Sequence, residues 1–429
     1  MTDTLPQAEN TTAASETGNR FLGALRNPGL RRFTSGTIAW GTAHQMVTAS
    51  QGFVLYEMTG SALWIAWLGA AVGGTNVIAA IIGGVLSDRI QRRTMLIAGA
   101  IIAGLPMVGI AVLYATDALE PWHILIAGSA QGISLAIDWI SRLSLLPTMV
   151  PRRIMVSALS VDQAAFNGAR VIGPLIAAAV LGSLGPTASY GIIGGLFGVA
   201  IIIYTTFKTR PIEAKEGEGH PTGIAAIAHE MREAGSALRA DSILSLNVLF
   251  TAMNAMMLGG FVFMIPVFAK DVFNSGEAGL GTIFAATGVG AFIGALIVAT
   301  RGGIDSAGRG LLVSNLLFAG AAAIYTTTGN LALAAVVGFF VGLFNAFHVA
   351  MGIAAIQVNV PDAVRGRVTG VYELAWASFP LGGLVAGSLA WALGPRPALA
   401  ITAAAVATLT VTVFSLSPRM RHLTLNPKD

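Results

Sequence analysis

The chain contains no cysteine among its 429 residues, which excludes disulfides and any metal or redox site built on thiolates. Charged side chains are scarce as well. Asp, Glu, Lys and Arg make up 11% of the residues, against about 25% in an ordinary soluble protein. Apolar types reach 54%, so the composition indicates a chain whose solvent is lipid. Only helices or closed barrels satisfy their backbone in lipid, and the apolar runs here have helical length.

Several functional signatures are also absent. The sequence has no Walker-type phosphate loop, no cluster of metal ligands and no catalytic-triad order, which disfavours an ATP-driven pump or a membrane enzyme. No metal and no other cofactor is expected. The basic residues are scattered among short loops, so nucleic acid is not an expected partner. Residues 1–19 are polar and no apolar core follows closely enough for a cleaved signal peptide, which predicts a cytoplasmic tail.

What the chain does have is a series of long apolar segments. A bilayer core about 30 Å thick needs roughly 20 apolar residues in a helix. Twelve segments meet this requirement and predict an all-α membrane protein. They lie at about 33–56, 62–86, 94–115, 122–147, 155–183, 187–207, 243–269, 279–300, 311–328, 331–358, 367–393 and 396–416.

Lys and Arg predict the orientation of these segments. They lie before segment 1 and in the loops that follow segments 2, 4, 6, 8, 10 and 12, all on the side of the chain ends. The opposite loops are mainly acidic, with Lys270 and Arg396 as the exceptions. By the positive-inside rule, both chain ends are cytoplasmic and the protein crosses the cytoplasmic membrane many times. The opposite side is called the predicted outer end below.

The longest connection, 208–242, divides six segments from six. The predicted organisation is a cytoplasmic tail at 1–32, a first six-helix bundle at 33–207, a linker at 208–242, a second bundle at 243–416 and a cytoplasmic tail at 417–429. Apolar residues at helical spacing predict an amphipathic surface helix within the linker.

The two halves also match each other. Residues 88–92, between segments 2 and 3, match residues 305–309, between segments 8 and 9, at a shift of 217. Residues 150–151 match residues 360–361 at a shift of 210, which also carries Gly173 onto Gly383. Two near-equal shifts predict a duplicated six-helix unit, as found in one large class of secondary transporters.

The loop after segment 2 carries a family resemblance. Its stretch GGVLSDRIQRR, at 83–93, resembles the signature of the major facilitator superfamily, G-x-L-a-D-[RK]-x-G-[RK]-[RK], with Gln91 in place of the second glycine. The stretches LRNPGLRRF, YEMTGSAL, AIDWISRLSLLPTMVP and NGARVIGP resemble the branch of bacterial siderophore (enterobactin-type) exporters and related drug exporters. The resemblance covers roughly residues 24–416. By resemblance, the two loop motifs supply a conformational lock at Gly84, Asp88, Arg89, Arg92, Arg93, Asp305 and Arg309.

The resemblance implies two six-helix halves that rock about a midplane site. The implied activity is export of an amphiphilic small molecule, siderophore or drug-like, in exchange for protons. The expected partners are that small molecule, protons and the lipid bilayer, and a monomer is expected. Two alternatives remain open: a proton-coupled uptake symporter of a small solute, and a transporter-like sensor or scaffold.

Placing an ionisable side chain inside a membrane segment costs free energy, so such residues are candidates for a functional role. Asp138 and Arg142 are four residues apart on one helical face, so they can pair within segment 4. Counting 1.5 Å per residue from Pro151 also predicts a ladder of two ion pairs between segments, Arg142 with Asp162 and Arg170 with Asp138. The ladder either holds segments 4 and 5 together or contains an acid that exchanges a proton. A further acid in segment 11 is a proton carrier, a cation-binding carboxylate or a gate residue. The five residues are Asp138, Arg142, Asp162, Arg170 and Glu373.

The remaining candidates are neutral. Gly173-Pro174 resembles part of an antiporter signature and predicts a bend in segment 5, where the halves must rock. Many proton-driven drug antiporters carry an arginine three residues before a Gln-Gly pair, but Gly128 occupies that place here. Polar and aromatic residues of segments 1, 7, 10 and 11 are candidates for the substrate cavity. They are His44, Gln45, Gln51, Asn254, Asn345, His348, Tyr372 and Trp376.

The loop lock predicts the effect of one substitution. By resemblance, Asp88 faces the amino end of segment 11, where the helix dipole favours a carboxylate, and closes the inner gate. Asp88→Asn should therefore lower transport without lowering the amount of protein inserted in the membrane. Normal transport by a normally inserted variant would count against a lock.

Overall fold

The computed structural model describes residues 26–87, 90–151, 154–206, 242–301, 307–359, 372 and 375–417. These residues are almost entirely helical. A π-helical turn, Phe268–Val272, extends helix α6, and a 3₁₀ turn, Ala375–Ser378, leads into α10. The helices are α1 (Pro28–Thr59), α2 (Ala62–Ser87), α3 (Arg92–Ala115), α4 (Pro121–Met149), α5 (Met155–Thr205), α6 (Ser242–Val267), α7 (Gly276–Arg301), α8 (Ala307–Thr327), α9 (Leu331–Asn359), α10 (Phe379–Leu393) and α11 (Pro395–Leu416).

These helices correspond to the twelve predicted segments. Nine helical stretches within the described ranges are long and apolar enough to cross a membrane, and Phe379–Leu393 is a shorter apolar helix. Helix α5 is 51 residues long and contains segments 5 and 6. Helix α1, at 32 residues, supplies segment 1. The prediction of an all-α membrane protein with twelve crossings is confirmed.

Helix α1 begins five residues before its predicted start because its amino end is capped. The side-chain oxygen of Asn27 accepts hydrogen bonds from the backbone N–H groups of Gly29, at 2.9 Å, and Leu30, at 3.2 Å. Pro28 occupies the first helical position, where its missing N–H has no cost. Hydropathy alone could not locate this start, because the two arginines in the first turns resemble loop sequence.

Helix α5 reverses direction at a single residue. Gly185 has φ 77° and ψ 178°, a conformation open to glycine but not to other residues, and Pro186 follows it. The break divides α5 into a first arm, 155–184, and a second arm, 186–205. Backbone dihedrals stay helical at Pro174, so the bend predicted there stays a prediction.

The two halves touch through small residues near the predicted outer end. Gly387 of α10 lies against Ala66 of α2, and Gly281 of α7 lies against Ala178 in the first arm of α5. All four residues belong to the outer parts of their helices. Small residues allow such close packing in lipid, where helices gain little from hydrophobic burial.

A polar contact joins the halves at the same end. The hydroxyl of Tyr56, in the last turn of α1, donates a hydrogen bond to the carboxylate of Asp271 in the π-helical turn. Nearby, Gly52 of α1 lies against Pro266 of α6. The described contacts thus give a molecule that is closed toward the predicted outer side.

Within the second half, helices α7 and α9 pack backbone to backbone. Gly290 lies against the carbonyl oxygen of Phe339, and Gly342 lies against the carbonyl oxygen of Thr287, so neither position has room for a Cβ. The two glycines are reciprocal, one on each helix, and they hold the pair at close distance.

This packing predicts a loss of stability in Gly342→Ala. The added methyl group must displace the carbonyl of Thr287, which should lower the free energy of unfolding by about 2 kcal/mol. Thermal unfolding of the purified protein in detergent measures the effect. The matched control is Gly320→Ala on α8, where no described atom lies within 4 Å of the added Cβ. That variant should be unchanged or slightly more stable, because alanine is the better helix former by up to about 1 kcal/mol. Equal melting temperatures for the two variants would contradict the packing argument.

Candidate functional site

Arg142 and two aspartates form a buried ion cluster between helices α4 and α5. Nη2 and Nε of Arg142 donate to Oδ2 of Asp138, at 2.7 and 3.0 Å. Nη1 donates to Oδ1 of Asp162, at 3.1 Å. The three side chains are deeply buried, with relative exposures of 5% for Arg142, 3% for Asp138 and 4% for Asp162. One cation therefore serves two carboxylates away from water.

Thr37 brings helix α1 into the same cluster. Its hydroxyl donates to Oδ1 of Asp162 at 2.7 Å and accepts a hydrogen bond from Nη1 of Arg142. Three helices of the first half thus meet at one guanidinium. Such bonds stabilise a buried charge because the lone pairs and N–H groups find partners in place of water.

Aromatic rings surround this cluster on the α1 side. The guanidinium carbon of Arg142 lies 5.7 Å from the ring centroid of Phe33 and 5.5 Å from that of Trp40. Trp40 stacks on His44 with ring centroids 4.9 Å apart. These distances fit cation–π attraction for the arginine.

A small pocket opens beside the cluster, between α4 and the first arm of α5. Trp139 and Phe166 meet there edge to face, with ring centroids 6.4 Å apart. The pocket therefore combines charged, neutral polar and aromatic groups. Its lining residues are Trp139, Arg142, Leu146, Leu159, Asp162, Gln163 and Phe166.

The predicted ladder is half correct. The pair of Arg142 with Asp162 is present, but the pair of Arg170 with Asp138 is wrong. Asp138 bonds Arg142 within its own helix, since the two residues are four apart and lie on one face. Its other oxygen, Oδ1, has no hydrogen-bond partner in the described part of the chain. Arg170 is exposed instead.

The second half contains a neutral chain of amides. Nδ2 of Asn345 donates to Oδ1 of Asn254 at 2.7 Å, and Nδ2 of Asn254 donates to Oδ1 of Asn315 at 3.0 Å. Close by, Nδ1 of His348 lies 3.4 Å from the hydroxyl of Ser314. The predicted cavity residues Asn254, Asn345 and His348 are therefore buried among helices α6, α8 and α9.

The repeat shift of 210 residues relates this region to the charged cluster. It carries Asp138 onto His348, Arg142 onto Gly352, Asp162 onto Tyr372 and Thr37 onto Asn247.

The second copies lie together as the first do. Nδ2 of Asn247 donates to the carbonyl of Gly352 at 3.0 Å. A Cβ added at Gly352 would lie 2.9 Å from the hydroxyl oxygen of Tyr372. Where the first half has a guanidinium, the second has a glycine, and a tyrosine hydroxyl and an amide lie against it.

The other cavity candidates have different surroundings, and their role in a substrate cavity stays a prediction. Gln45 is half-buried and packs on Gly173, where α1 and α5 approach closely. Gln51 is buried, and neither of its amide atoms has a hydrogen-bond partner among the described residues. Trp376 is half-buried against the apolar core.

The lock residues are only partly described. Arg93, in the first turn of α3, donates to the carbonyl oxygen of Thr205 at 2.9 Å, and Arg92 precedes it. Arg309 is exposed in the first turn of α8. Gly84 lies in α2. The lock residues Asp88, Arg89 and Asp305, together with the charged candidate Glu373, lie outside the described residues.

Several residues of the cluster were not predicted from the sequence. On α1 these are Phe33, Thr37 and Trp40, and across the pocket they are Trp139 and Phe166. A signal did exist, because residues 33, 37, 40 and 44 recur at helical spacing on one face of α1.

The sequence is similar to those of known export proteins. The chain is 24% identical over 409 residues to the multidrug efflux pump Tap of Mycolicibacterium fortuitum, covering 90% of this chain and 95% of that protein. It is 22% identical over 324 residues to the enterobactin exporter EntS of Shigella boydii serotype 4 (strain Sb227), covering 74% of this chain and 75% of that protein.

Among solved structures, the fold is similar to that of a bacterial homolog of the human lysosomal transporter Spinster in an inward-facing, unoccupied conformation. The TM-score is 0.73 at 15% identity, over 93% of this chain and 98% of that one. The sequence of residues 33–379, which include the whole charged cluster, matches the Major Facilitator Superfamily. Because that match extends over most of the chain, the protein belongs to the Major Facilitator Superfamily.

Proposed function

We propose that this protein exports an amphiphilic small molecule across the cytoplasmic membrane by alternating access, in exchange for protons. The direction is supported by the curated relatives, which include a multidrug efflux pump and enterobactin exporters. Alternating access is supported by two six-helix halves whose described contacts extend from the predicted outer end to about the middle of the helices.

The observation that carries the proton step is the imbalance of charge at Arg142. One guanidinium bonds two carboxylates, Asp138 and Asp162, in a buried place. A single proton on either carboxylate would make the group of three neutral. A buried group that is neutral with one proton, and charged without it, is suited to carry that proton through a transport cycle.

The two carboxylates differ in what a proton on them would release. Asp138 and Arg142 belong to the same helix, so breaking their bond separates no helices. Asp162 instead joins α5 to Arg142 on α4 and to Thr37 on α1. We therefore assign the conformational effect of protonation to Asp162.

Transport in everted membrane vesicles tests the proposal. Uptake of three fluorophores, anionic toluidinylnaphthalene sulfonate, neutral Nile red and cationic ethidium, is followed with the vesicle interior made acidic. Export from the cell corresponds to uptake by these vesicles. A fluorophore that enters only when the pH gradient is present supports proton-driven export. Movement in the opposite direction would indicate an uptake symporter, and no gradient-dependent movement of any solute would indicate a sensor or scaffold.

Asp162→Asn should lose the part of transport that depends on the pH gradient, a decrease of about tenfold or more, because an amide cannot accept the proton. Exchange of labelled for unlabelled substrate without a gradient should continue. Asp138→Asn tests the second carboxylate in the same way. The matched control is Asp117→Asn, which removes an exposed acid from an outer turn. If transport by both Asp138→Asn and Asp162→Asn depends on the pH gradient as the wild type does, the assignment of the proton to these carboxylates is wrong.

The ratio of one cation to two carboxylates also predicts how substitutions in the cluster change the free energy of unfolding. Arg142→Gln leaves two buried carboxylates without a cation and should cost about 3–5 kcal/mol in the free energy of unfolding. Adding Asp138→Asn and Asp162→Asn to that variant should restore a large part of the loss, which thermal unfolding in detergent measures. Equal melting temperatures for the single and triple variants would show that lost packing, rather than unpaired charge, destabilises the protein.

A further inference from the structure

Arg170 is a charged residue of the membrane-crossing first arm of α5 that the cluster does not use. It is exposed, and it has no hydrogen bond or ion pair with any residue in the described ranges. A charge inside a membrane protein is tolerated where it faces water, a partner or a ligand. The direction in which Arg170 lies on α5 therefore decides what it meets.

Two sides of the first arm of α5 are covered by neighbouring helices. Gly173 packs on α1, where a Cβ would lie 2.7 Å from the Cβ of Gln45. On the opposite side, Val171 packs on Gly288 of α7. A third side carries exposed apolar residues such as Ile172, as expected for contact with lipid.

Arg170 lies on the remaining side, which also lines the pocket. Residues 163, 166 and 170 follow one another at spacings of three and four, so they share one face of the helix. Gln163 and Phe166 both line the pocket beside the charged cluster. Arg170 is the next residue of this face toward the predicted outer end, between α1 and α7.

The groups along this face indicate which chemical class of ligand would bind there. Phe166 meets Trp139 edge to face and gives flat apolar surface, and Gln163 adds a neutral amide. An unpaired guanidinium binds carboxylate or sulfonate through paired hydrogen bonds and repels cations.

We propose that Arg170, with Gln163, Phe166 and Trp139, forms a binding site for an aromatic anion. This inference rests on the proposed transport function and specifies the charge class of its substrate. The ring lies against Phe166 and Trp139, and the anionic group bonds Arg170.

Equilibrium dialysis of the full chain in lipid nanodiscs tests the site without a proton gradient. The probes share one ring system: naphthalene-2-sulfonate, 2-naphthalenemethanol and (2-naphthylmethyl)trimethylammonium, with empty nanodiscs as the blank. The wild type should bind the sulfonate about ten- to a hundredfold more tightly than the alcohol, the range expected for a hydrogen bond to a charged group. The cation should bind most weakly.

Arg170→Gln should remove the preference for the sulfonate over the alcohol, and Arg170→Lys should keep part of it. The matched control is Arg396→Gln, which removes an arginine that bonds the carbonyl of Thr328 at the predicted outer end. That variant should bind all three probes as the wild type does. A preference for the sulfonate that survives in Arg170→Gln would overturn the site.

Glu373 requires a second comparison, because an arginine that only neutralised this acid would also weaken anion binding when removed. The double variant Arg170→Gln/Glu373→Gln separates the two roles. Continued loss of the preference supports a direct bond from Arg170 to the anion. Recovery of the preference would show that Arg170 neutralises Glu373 and would overturn the proposal.

The result is distinguishable from failure of the transport proposal. Gradient-driven export of a fluorophore with no preference for the sulfonate would leave the transport proposal intact and overturn the anion site. Preference for the sulfonate that depends on Arg170, without gradient-driven movement of any probe, would support the site and contradict export.

Discussion

Arg142 lies where helices α1, α4 and α5 meet, and its guanidinium bonds both Asp138 and Asp162 away from water. A charge in this place must be paired, because an unpaired ion in a low-dielectric interior costs several kcal/mol. The cluster therefore fixes how the three helices lie against one another. Under the proton step that we propose, their contact also depends on protonation, since the carboxylates and the cation are unequal in number.

Among the described residues, the buried charged cluster lies in one half of a duplicated molecule. The positions that correspond to Asp138, Arg142 and Asp162 are His348, Gly352 and Tyr372, and Tyr372 packs on Gly352. The amides of the second half bond one another. Helices α7 and α9 pack through reciprocal glycines. The second half is thus suited to move as a rigid body, whereas the first half contains the cluster to which we assign the proposed proton step.

Much of the fold was predictable, because lipid imposes long apolar helices and the repeat is visible in the loops. The start of α1 was not, since it depends on a local cap at Asn27. Depth along a helix correctly placed Arg142 level with Asp162. The spacing of four residues correctly predicted the bond between Asp138 and Arg142 within α4. Depth alone could not show that Arg170 lies on another face. Rotation about a helix axis follows from packing with its neighbours, and the approach of Thr37 follows from packing between distant segments.

Gly185 joins the two arms of α5 through one non-helical residue, and Pro186 removes further freedom there. The connection between the two arms is therefore short and restricted. The first arm contains Asp162, and the second arm ends at Thr205, which accepts a hydrogen bond from Arg93 beside the signature loop. A tilt of the first arm therefore pulls the second arm with it. If Asp162 carries the proton as we propose, the turn at Gly185 couples the position of Asp162 to the signature loop.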